Sequence, residues 1–310
     1  MDIYREITRF YNGVKTEKRI IGTSLQKRNL YAIKLGEGSP VGVAVYGIHG
    51  REWLTARLAK VHFVGGQKHG IVGSIWLIPL ANPDGALLSQ KGLAAAKGCS
   101  YFRFLSAYSN GDLRLWKANA RGVDLNVNFD AEWGKGKCNV RRRGAENYIG
   151  ERPFSEPESL ALKRFTEEIK PDYTVSFHTK GEEIYWYFGQ GALAATRDYR
   201  IGQALSMATG YPLRLARGSV GGYKDWCISA LKIPSYTVEV GSDRFAHPLR
   251  GAAFLNIYQH CGGALYALSA AVQNEKINER RKMDASSDCG GKAWLEAGGS
   301  ADRGGDCLRG

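Results

Sequence analysis

A histidine and a glutamate stand three residues apart in the stretch GIHGREW, which covers residues 47 to 53. His49 and Glu52 directly follow the apolar run VGVAVY, which has the composition of a buried strand. Ligands of α/β sheets bind outside the carboxyl ends of the strands, so the pair lies where a site is expected. Side chains three residues apart on a helical turn share one face, so both groups can bind one metal ion. A glutamate at a helix start is common by itself, so the pair needs support from elsewhere in the chain.

A third ligand is required because a catalytic zinc site typically has three protein ligands and one open coordination position. His178 ends the apolar run YTVSFH and therefore also lies at the carboxyl end of a predicted strand. We expect the other four histidines, at positions 62, 69, 247 and 260, to be structural or surface residues. Two histidines and one glutamate make up a ligand set of hydrolytic zinc enzymes.

Such a site also needs a general base at another strand end. Glu239 ends the run SYTVE, between two valines and just before Gly241, where a turn would open a site. The alternative is a glutamate on a half-exposed strand, paired with a surface lysine. We interpret Glu239 as the general base because the other chemistry converges on the same edge of the sheet.

Five motifs together resemble the zinc carboxypeptidase family, the group built around carboxypeptidase A. HGREW, NPDG, RGVDLNVNF, SFHTKG and YTVEVG occur in the order and spacing of that family, and the resemblance covers roughly residues 5 to 275. It implies a mixed, mostly parallel eight-stranded sheet flanked by helices. It also implies one bound zinc ion.

The resemblance assigns roles residue by residue. Three residues would bind the zinc ion, and Glu239 would activate water. Asp124 would hydrogen-bond a ligating histidine from behind, which fixes its tautomer and raises its basicity. Arg51 and Asn126 match substrate-binding positions. The implied zinc ligands are His49, Glu52 and His178.

The chain departs from the family at positions that bind substrate. Val127 stands where the family has an arginine that holds the terminal carboxylate of the substrate. Lys117 follows Trp116 where the family has an oxyanion-stabilising arginine, and Arg121 is the alternative if the alignment slips. A lysine supplies a point charge instead of a planar fork. The family's loop tyrosine has no counterpart, because its position falls near Arg217 and Gly218.

Further stretches look like a bacterial branch of the family, which resembles γ-D-glutamyl-meso-diaminopimelate peptidases. These stretches are KANARGVDLNVNFDAEWG, ENYIG, PFSEPES and GEEIYWYFGQ. By spacing, Lys224 lines the pocket of the leaving residue and Arg217 lies in the loop above it. We therefore expect a zinc-dependent amide hydrolase that cleaves peptidoglycan stem peptides. The alternatives are a metallocarboxypeptidase on ordinary peptides that uses Arg217 or Lys224, and an inactive zinc- or polyanion-binding protein.

The elements that must position these residues alternate between strand and helix patterns, which predicts a single α/β domain with a largely parallel or mixed sheet. The residues from 252 to 275 predict one long closing helix. We expect the catalytic domain to cover residues 1–285. Residues 286–310 are rich in glycine and lack apolar periodicity, so we expect them to be disordered.

The bulk composition limits the partners. The net charge of +13 favours acidic ligands such as a peptide or muropeptide, and six cations cluster between residues 135 and 152. The cluster has few interleaved aromatic residues, which argues against nucleic acid. The six cysteines are scattered, and no apolar run approaches the roughly 20 residues of a membrane span. The first residues lack an apolar leader, so we expect a cytoplasmic protein. The sequence carries no signal for an oligomeric state.

Overall fold

The computed structural model describes residues 1–108, 112–216 and 218–296, with backbone alone for 285–296. Eight strands of this part form one sheet. They are β1 (Lys18–Thr23), β2 (Asn29–Gly36), β3 (Val41–Tyr46), β4 (Ser74–Ile78), β5 (Tyr173–His178), β6 (Glu183–Tyr185), β7 (Leu213–Arg214) and β8 (Ser235–Glu239).

The strand order across the sheet is β1-β2-β4-β3-β5-β8-β6-β7. The neighbours β4, β3, β5 and β8 run parallel in the centre, and β6 and β7 form a further parallel pair. The remaining pairs are antiparallel. The sheet is therefore mixed and mostly parallel, as the resemblance implied. Its four central strands place their carboxyl ends along one edge.

Helices cover both faces of this sheet. They are α1 (Ile3–Gly13), α2 (Thr55–His69), α3 (Pro83–Lys91), α4 (Phe102–Ala107), α5 (Pro157–Ile169), α6 (Ala192–Thr209), α7 (Tyr223–Trp226), α8 (Gly251–Cys261) and α9 (Ala264–Glu296). Alternate residues of β3 enter opposite cores, because successive strand side chains point to opposite faces. Ala44 and Tyr46 pack with α2, α6, α8 and α9, whereas Val43 and Val45 pack with α5 and α7.

The single closing helix predicted over residues 252–275 is two helices. The helix α8 ends at Cys261, Gly262 and Gly263 follow, and α9 begins at Ala264. Two adjacent glycines weaken a helix because each loses much backbone entropy when it is ordered.

The helix α9 continues to Glu296, which lies inside the segment predicted to be disordered. Hydrogen bonds hold its first half in place. Arg200 donates to Glu275 at 2.7 Å, and Lys276 donates to Asp172 at 2.5 Å. Residues 297–310 lie outside the described part, so the division of the chain at residue 285 stays a prediction. No described helix has both the length and the apolar character needed to cross a membrane.

Candidate active site

Three adjacent central strands bring the candidate residues together. In the parallel pair β5–β8, His178 lies directly opposite Glu239, and each is the last residue of its strand. The strand β3 lies on the other side of β5 and ends at Tyr46, three residues before His49. The spatial order at this edge is therefore His49, His178, Glu239, although long stretches of chain separate them.

The backbone between His49 and the strand before it turns sharply at Gly47. Its φ of +59° lies in the left-handed region that favours glycine. Gly50 is needed for a different reason, since a Cβ there would lie 2.5 Å from the carbonyl carbon of Gly85 in α3. His49 consequently precedes a short 3-10 turn over Gly50–Glu52, and Glu52 is the last residue of that turn. The helix α2 begins only at Thr55.

The side chains of His49, Glu52 and His178 converge on one point. The Nδ1 atom of His49 lies 2.9 Å from Oε1 of Glu52 and 3.1 Å from Nδ1 of His178. Nδ1 of His178 lies 3.2 Å from Oε2 of Glu52. One ligand atom from each residue lies within 4.8 Å of the others, and all three residues are buried. Two imidazole nitrogens and a carboxylate suit a catalytic zinc ion with an open fourth position.

The electrostatics of this cluster favour a charged carboxylate. Burial alone would raise the pKa of Glu52, but His49 and His178 hold it well below its ordinary value. Burial likewise opposes the charged form of His49, yet Glu52 and Asp124 raise the pKa of its imidazole. A charged carboxylate between two imidazoles is a donor set that suits a zinc ion.

Asp124 supports His49 from behind. Its Oδ1 lies 3.2 Å from Nε2 of His49, a contact that is not a well-aligned hydrogen bond. Backbone N–H groups of Asn126 and Asn147 donate to the carboxylate at 3.1 and 3.0 Å. Burial raises the pKa of Asp124, but Lys117 and His49 bring it well below its usual range. The carboxylate is thus charged and fixed, as a group that orients a metal-binding histidine must be.

Glu239 lies at the open side of the ligand cluster. It is half-buried, and Glu183 of β6 lies directly opposite it in the antiparallel pair β6–β8. Burial raises the pKa of Glu239 to about 7. His178 lowers this pKa, whereas the negative charges of Glu52 and Glu183 raise it further. A carboxyl group that titrates near neutral pH can both accept and return a proton under physiological conditions.

The two cations proposed for the oxyanion role lie in different places. Lys117 Nζ lies 3.4 Å from Oδ2 of Asp124, and the carboxylates of Asp124 and Glu52 raise its pKa although burial opposes this. Arg121 instead donates to Tyr101 Oη at 2.9 Å and to Glu156 Oε1 at 3.2 Å. Because its guanidinium is engaged there, Lys117 is the better candidate.

Arg51 lies beside the ligands, and its guanidinium faces Glu146. Nη1 of Arg51 is 3.3 Å from Oε2 of Glu146, and its Nε is buried without a partner among the described atoms. No sequence motif singles out Glu146. Its carboxylate also acts on Lys117, which connects it to the same site.

A cavity of about 270 Å³ lies beside Glu239, and Asn126 and Lys224 line it. Lys224 is only 5% exposed, and its ammonium donates to Asp225 Oδ1 at 2.5 Å and to the carbonyl of Tyr187 at 3.2 Å. The sequence predicted the cation but missed its partner. The signal was present, because Asp225 is the next residue and its carboxylate also accepts from the N–H of Gly222.

Asn126 connects this cavity to Asp124, the residue that supports His49. Its Oδ1 accepts from the backbone N–H of Tyr223 at 3.2 Å, at the start of α7. Arg217, the other cation predicted above the pocket, lies outside the described residues.

Comparison with known proteins agrees with this geometry. The family model described as zinc carboxypeptidase matches residues 69–267, which is more than half of the chain. The chain belongs to the zinc carboxypeptidase family. The matched range includes His178 and Glu239 but begins after Glu52. The pairing of His49 and Glu52 with His178 therefore depends on the spatial arrangement.

Individual relatives point toward the bacterial branch. A γ-D-glutamyl-L-diamino acid endopeptidase of Lysinibacillus sphaericus is 29% identical over 263 residues, which covers 80% of this chain and 65% of that protein. The chain thus spans slightly less than two thirds of that relative. Murein peptide amidase A of Escherichia coli K12 is 34% identical over 123 residues, or 36% of this chain and 46% of the amidase.

The fold agreement extends to solved structures. Bovine thrombin-activatable fibrinolysis inhibitor, in complex with tick carboxypeptidase inhibitor, superimposes with a TM-score of 0.71 and 21% identity. The match covers 90% of this chain and 98% of that one. The predicted fold, a single α/β domain with an eight-stranded mixed sheet, is thereby confirmed.

Proposed function

We propose that the protein is a zinc-dependent amide hydrolase that cleaves the bond between γ-D-glutamate and meso-diaminopimelate in peptidoglycan stem peptides. The family membership supports the zinc metallopeptidase class. The names of the two bacterial relatives support a substrate of peptidoglycan type. The observation that carries the choice of bond is the buried ammonium of Lys224 in the cavity beside Glu239.

His49, Glu52 and His178 would hold the zinc ion. Zinc, when bound, polarises the scissile carbonyl and makes water more acidic. Glu239 would accept a proton from the attacking water at its carboxylate and return it to the leaving amine nitrogen. Burial raises the pKa of Glu239, which favours uptake of this proton, and a bound zinc ion would oppose part of that rise. The Lys117 ammonium, 3.4 Å from Asp124, would stabilise negative charge that develops on the carbonyl oxygen.

The leaving-group pocket favours a polar side chain. An ammonium has three N–H donors, and two of those on Lys224 are bound by Asp225 and the carbonyl of Tyr187. An apolar leaving residue would leave the third donor buried without a partner. The side chain of meso-diaminopimelate ends in a carboxylate and an ammonium, which can pair with Lys224 and Asp225 respectively.

The loss of the family's carboxylate-binding arginine points the same way. Val127 is 9% exposed and apolar, so it cannot bind the terminal α-carboxylate of an ordinary peptide. A charge-assisted hydrogen bond is worth about 1.5–3 kcal/mol, so its absence weakens binding of such substrates about 10- to 150-fold. We therefore expect peptides that end in Phe, Leu or Lys to be poor substrates.

Two matched substrates test the proposal. L-Ala-γ-D-Glu-meso-diaminopimelate and L-Ala-γ-D-Glu-L-Lys differ by one carboxylate on the leaving side chain. We expect kcat/KM to favour the first by about 10- to 150-fold, from one charge-assisted hydrogen bond. Chelator should abolish both reactions. Cleavage is followed by mass spectrometry, with peptides ending in Phe and Leu as further substrates.

A Lys224→Gln variant separates the pocket from general damage. Glutamine keeps a donor for Asp225 and Tyr187 but removes the charge, so we expect the preference to fall to within a fewfold with zinc content unchanged. The melting temperature should fall, because the buried Asp225 carboxylate loses its cationic partner. Equal rates on both tripeptides would contradict the proposed role of Lys224. Efficient trimming of ordinary peptides with muropeptides untouched would favour a metallocarboxypeptidase instead. Stoichiometric zinc without turnover of any substrate would favour an inactive binding protein.

A further inference from the structure

Residues 132–152, called the basic loop here, carry a charge that the candidate active site does not use. Six cations of this loop are all solvent-exposed. They are Lys135, Lys137, Arg141, Arg142, Arg143 and Arg152.

These cations are largely unneutralised. Arg143 lies 3.5 Å from Oε1 of Glu151. Within the described part of the chain, no carboxylate lies within ion-pair distance of the other five cations. Exposed charges of one sign at close spacing raise the local concentration of anions and speed their association.

The loop has a defined structure. Val140 and Tyr148 form an isolated bridge, and the N–H of Val140 donates to the carbonyl of Asn147 at 2.9 Å. The indole Nε1 of Trp133 donates to the carbonyl of Ile149 at 3.0 Å. The cations therefore extend from an ordered surface, which lowers the entropy lost when a partner binds.

The basic loop also borders the catalytic cleft. The carbonyl of Ala145 accepts from the N–H of Lys117 at 3.0 Å, and the N–H of Asn147 donates to Asp124. On the other side, the N–H of Lys137 donates to the carbonyl of Gly218 at 2.9 Å, between cavity residues Ala216 and Ser219. A polyanion on the loop would lie along the rim of the cleft.

We propose that the basic loop docks the acidic stem peptides that neighbour the one being cleaved, so that the protein binds polymeric peptidoglycan. The inference rests on the proposed function, and it requires the protein to reach the cell wall instead of the cytoplasmic location expected from its first residues. One stem peptide occupies the cleft, whereas cations spread over the loop match carboxylates repeated along a polymer. The loop would then raise affinity for the polymer without touching the reacting bond.

Nucleic acid fits this surface less well. Proteins that bind single strands stack bases on free aromatic faces. Two aromatic rings near the loop already have cations over them, and a third, Tyr148, is buried. Arg141 lies 5.5 Å from the ring centre of Trp133, and Arg143 lies 5.9 Å from that of Tyr101.

A charge-neutralised variant tests the proposal. Lys135→Gln, Arg142→Gln and Arg152→Gln are combined, since no described contact uses these three side chains. The matched control combines Arg9→Gln, Lys15→Gln and Arg164→Gln, which are equally exposed and remove the same charge from α1, the loop after it and α5. Both triple variants are made in the full chain with and without Glu239→Gln, which prevents hydrolysis during binding measurements.

Binding is measured by cosedimentation with insoluble peptidoglycan at increasing NaCl concentration, and with duplex DNA as the competing polyanion. We expect the loop variant to bind peptidoglycan about tenfold more weakly at low salt, with a shallower salt dependence, and the control to stay within about twofold. Turnover of the soluble tripeptide should be unchanged in both. Equal peptidoglycan binding by loop variant and control would overturn the proposal, as would loss of DNA binding alone. A protein that binds peptidoglycan through the loop but cleaves none of the substrates would refute the proposed function. The same result would support the basic loop as a docking surface.

Discussion

In the described part of the chain, three buried carboxylates lie behind the candidate site, and two arginines form ion pairs with two of them. Arg28 pairs with Asp84, and Arg121 pairs with Glu156 at 3.2 Å. Glu158 has no cationic partner within ion-pair distance in the described structure, and it accepts from the N–H of Leu25 at 3.1 Å and from Nδ2 of Asn119 at 3.3 Å. Burial, and then the charges of Asp84 and Glu156, raise the pKa of Glu158 to about 8.

We predict that Glu158→Gln removes a defined pH dependence of stability. The pKa of Glu158 is higher in the folded protein than its ordinary value of 4.5, so the folded state binds the proton more tightly. The stabilisation is complete below about pH 4.5 and is lost as the pH rises through about 8. One pKa unit corresponds to about 1.4 kcal/mol, so a rise of about 3.5 units amounts to about 5 kcal/mol, an order-of-magnitude value.

Glutamine has nearly the shape of a protonated glutamate and cannot ionise. Its amide nitrogen, however, cannot accept the hydrogen bond that Leu25 or Asn119 donates to an oxygen of Glu158, so at pH 5 the variant should be less stable than the wild type by about 1–3 kcal/mol. Between pH 5 and pH 8.5 the stability of the variant relative to the wild type should rise by several kcal/mol. Urea unfolding followed by circular dichroism from pH 5 to 9 measures both curves. The matched control is Glu167→Gln on the same helix, whose side chain is exposed and pairs with Lys163. Its difference from wild type should stay within about 0.5 kcal/mol at every pH. Parallel curves for wild type and Glu158→Gln would show that Glu158 is ionised in the folded protein and that the reasoning is wrong.

Three further outcomes are expected. His178→Ala should lose stoichiometric zinc in elemental analysis, because two ligands remain of the three that such a site needs; full zinc occupancy would contradict the ligand assignment. Glu239→Gln should keep its zinc and its melting temperature but lose roughly 10²- to 10⁴-fold in turnover of the diaminopimelate tripeptide. A variant that retained more than about a tenth of wild-type turnover would place the general base elsewhere. A chain that ends at residue 285 should melt within a few degrees of the full chain, as expected for a segment with little to bury; a drop of more than about 10 °C would show that the segment packs on the domain.

A largely parallel or mixed sheet and the ligand cluster could be predicted from local patterns, whereas the number of eight strands was implied by the family resemblance. Apolar runs that end in a polar residue gave the ends of β3, β5 and β8, and parallel strands bring such ends to one edge. The spacing of His49 and Glu52 was sufficient to place both side chains on one turn. His178 then needed only its position at a strand end to meet them, 3.1 Å from His49.

The polar partners around the site were harder to predict, because they depend on loops that fold back over long distances. Glu146 contacts Arg51 across 95 residues, and Glu183 faces Glu239 only because β6 pairs antiparallel to β8. No local pattern fixes such a pairing. Arg121 was the alternative to Lys117 in case the family alignment slipped, and its contacts with Tyr101 and Glu156 favour Lys117.

The cavity that contains Lys224 and the support of the candidate zinc ligand His49 are structurally joined. Asp124 contacts His49 and accepts from the N–H of Asn126, and Asn126 in turn accepts from the N–H of Tyr223 at the start of α7. The next residue of α7 is Lys224. A change of Val127 therefore acts on a segment that holds both the histidine support and the pocket wall. Exchanging Val127 for arginine would add a carboxylate-binding cation, but it would not remove the Lys224–Asp225 pair, which we propose selects against apolar leaving groups. If both proposed roles are right, a preference for ordinary peptides requires changes on both segments.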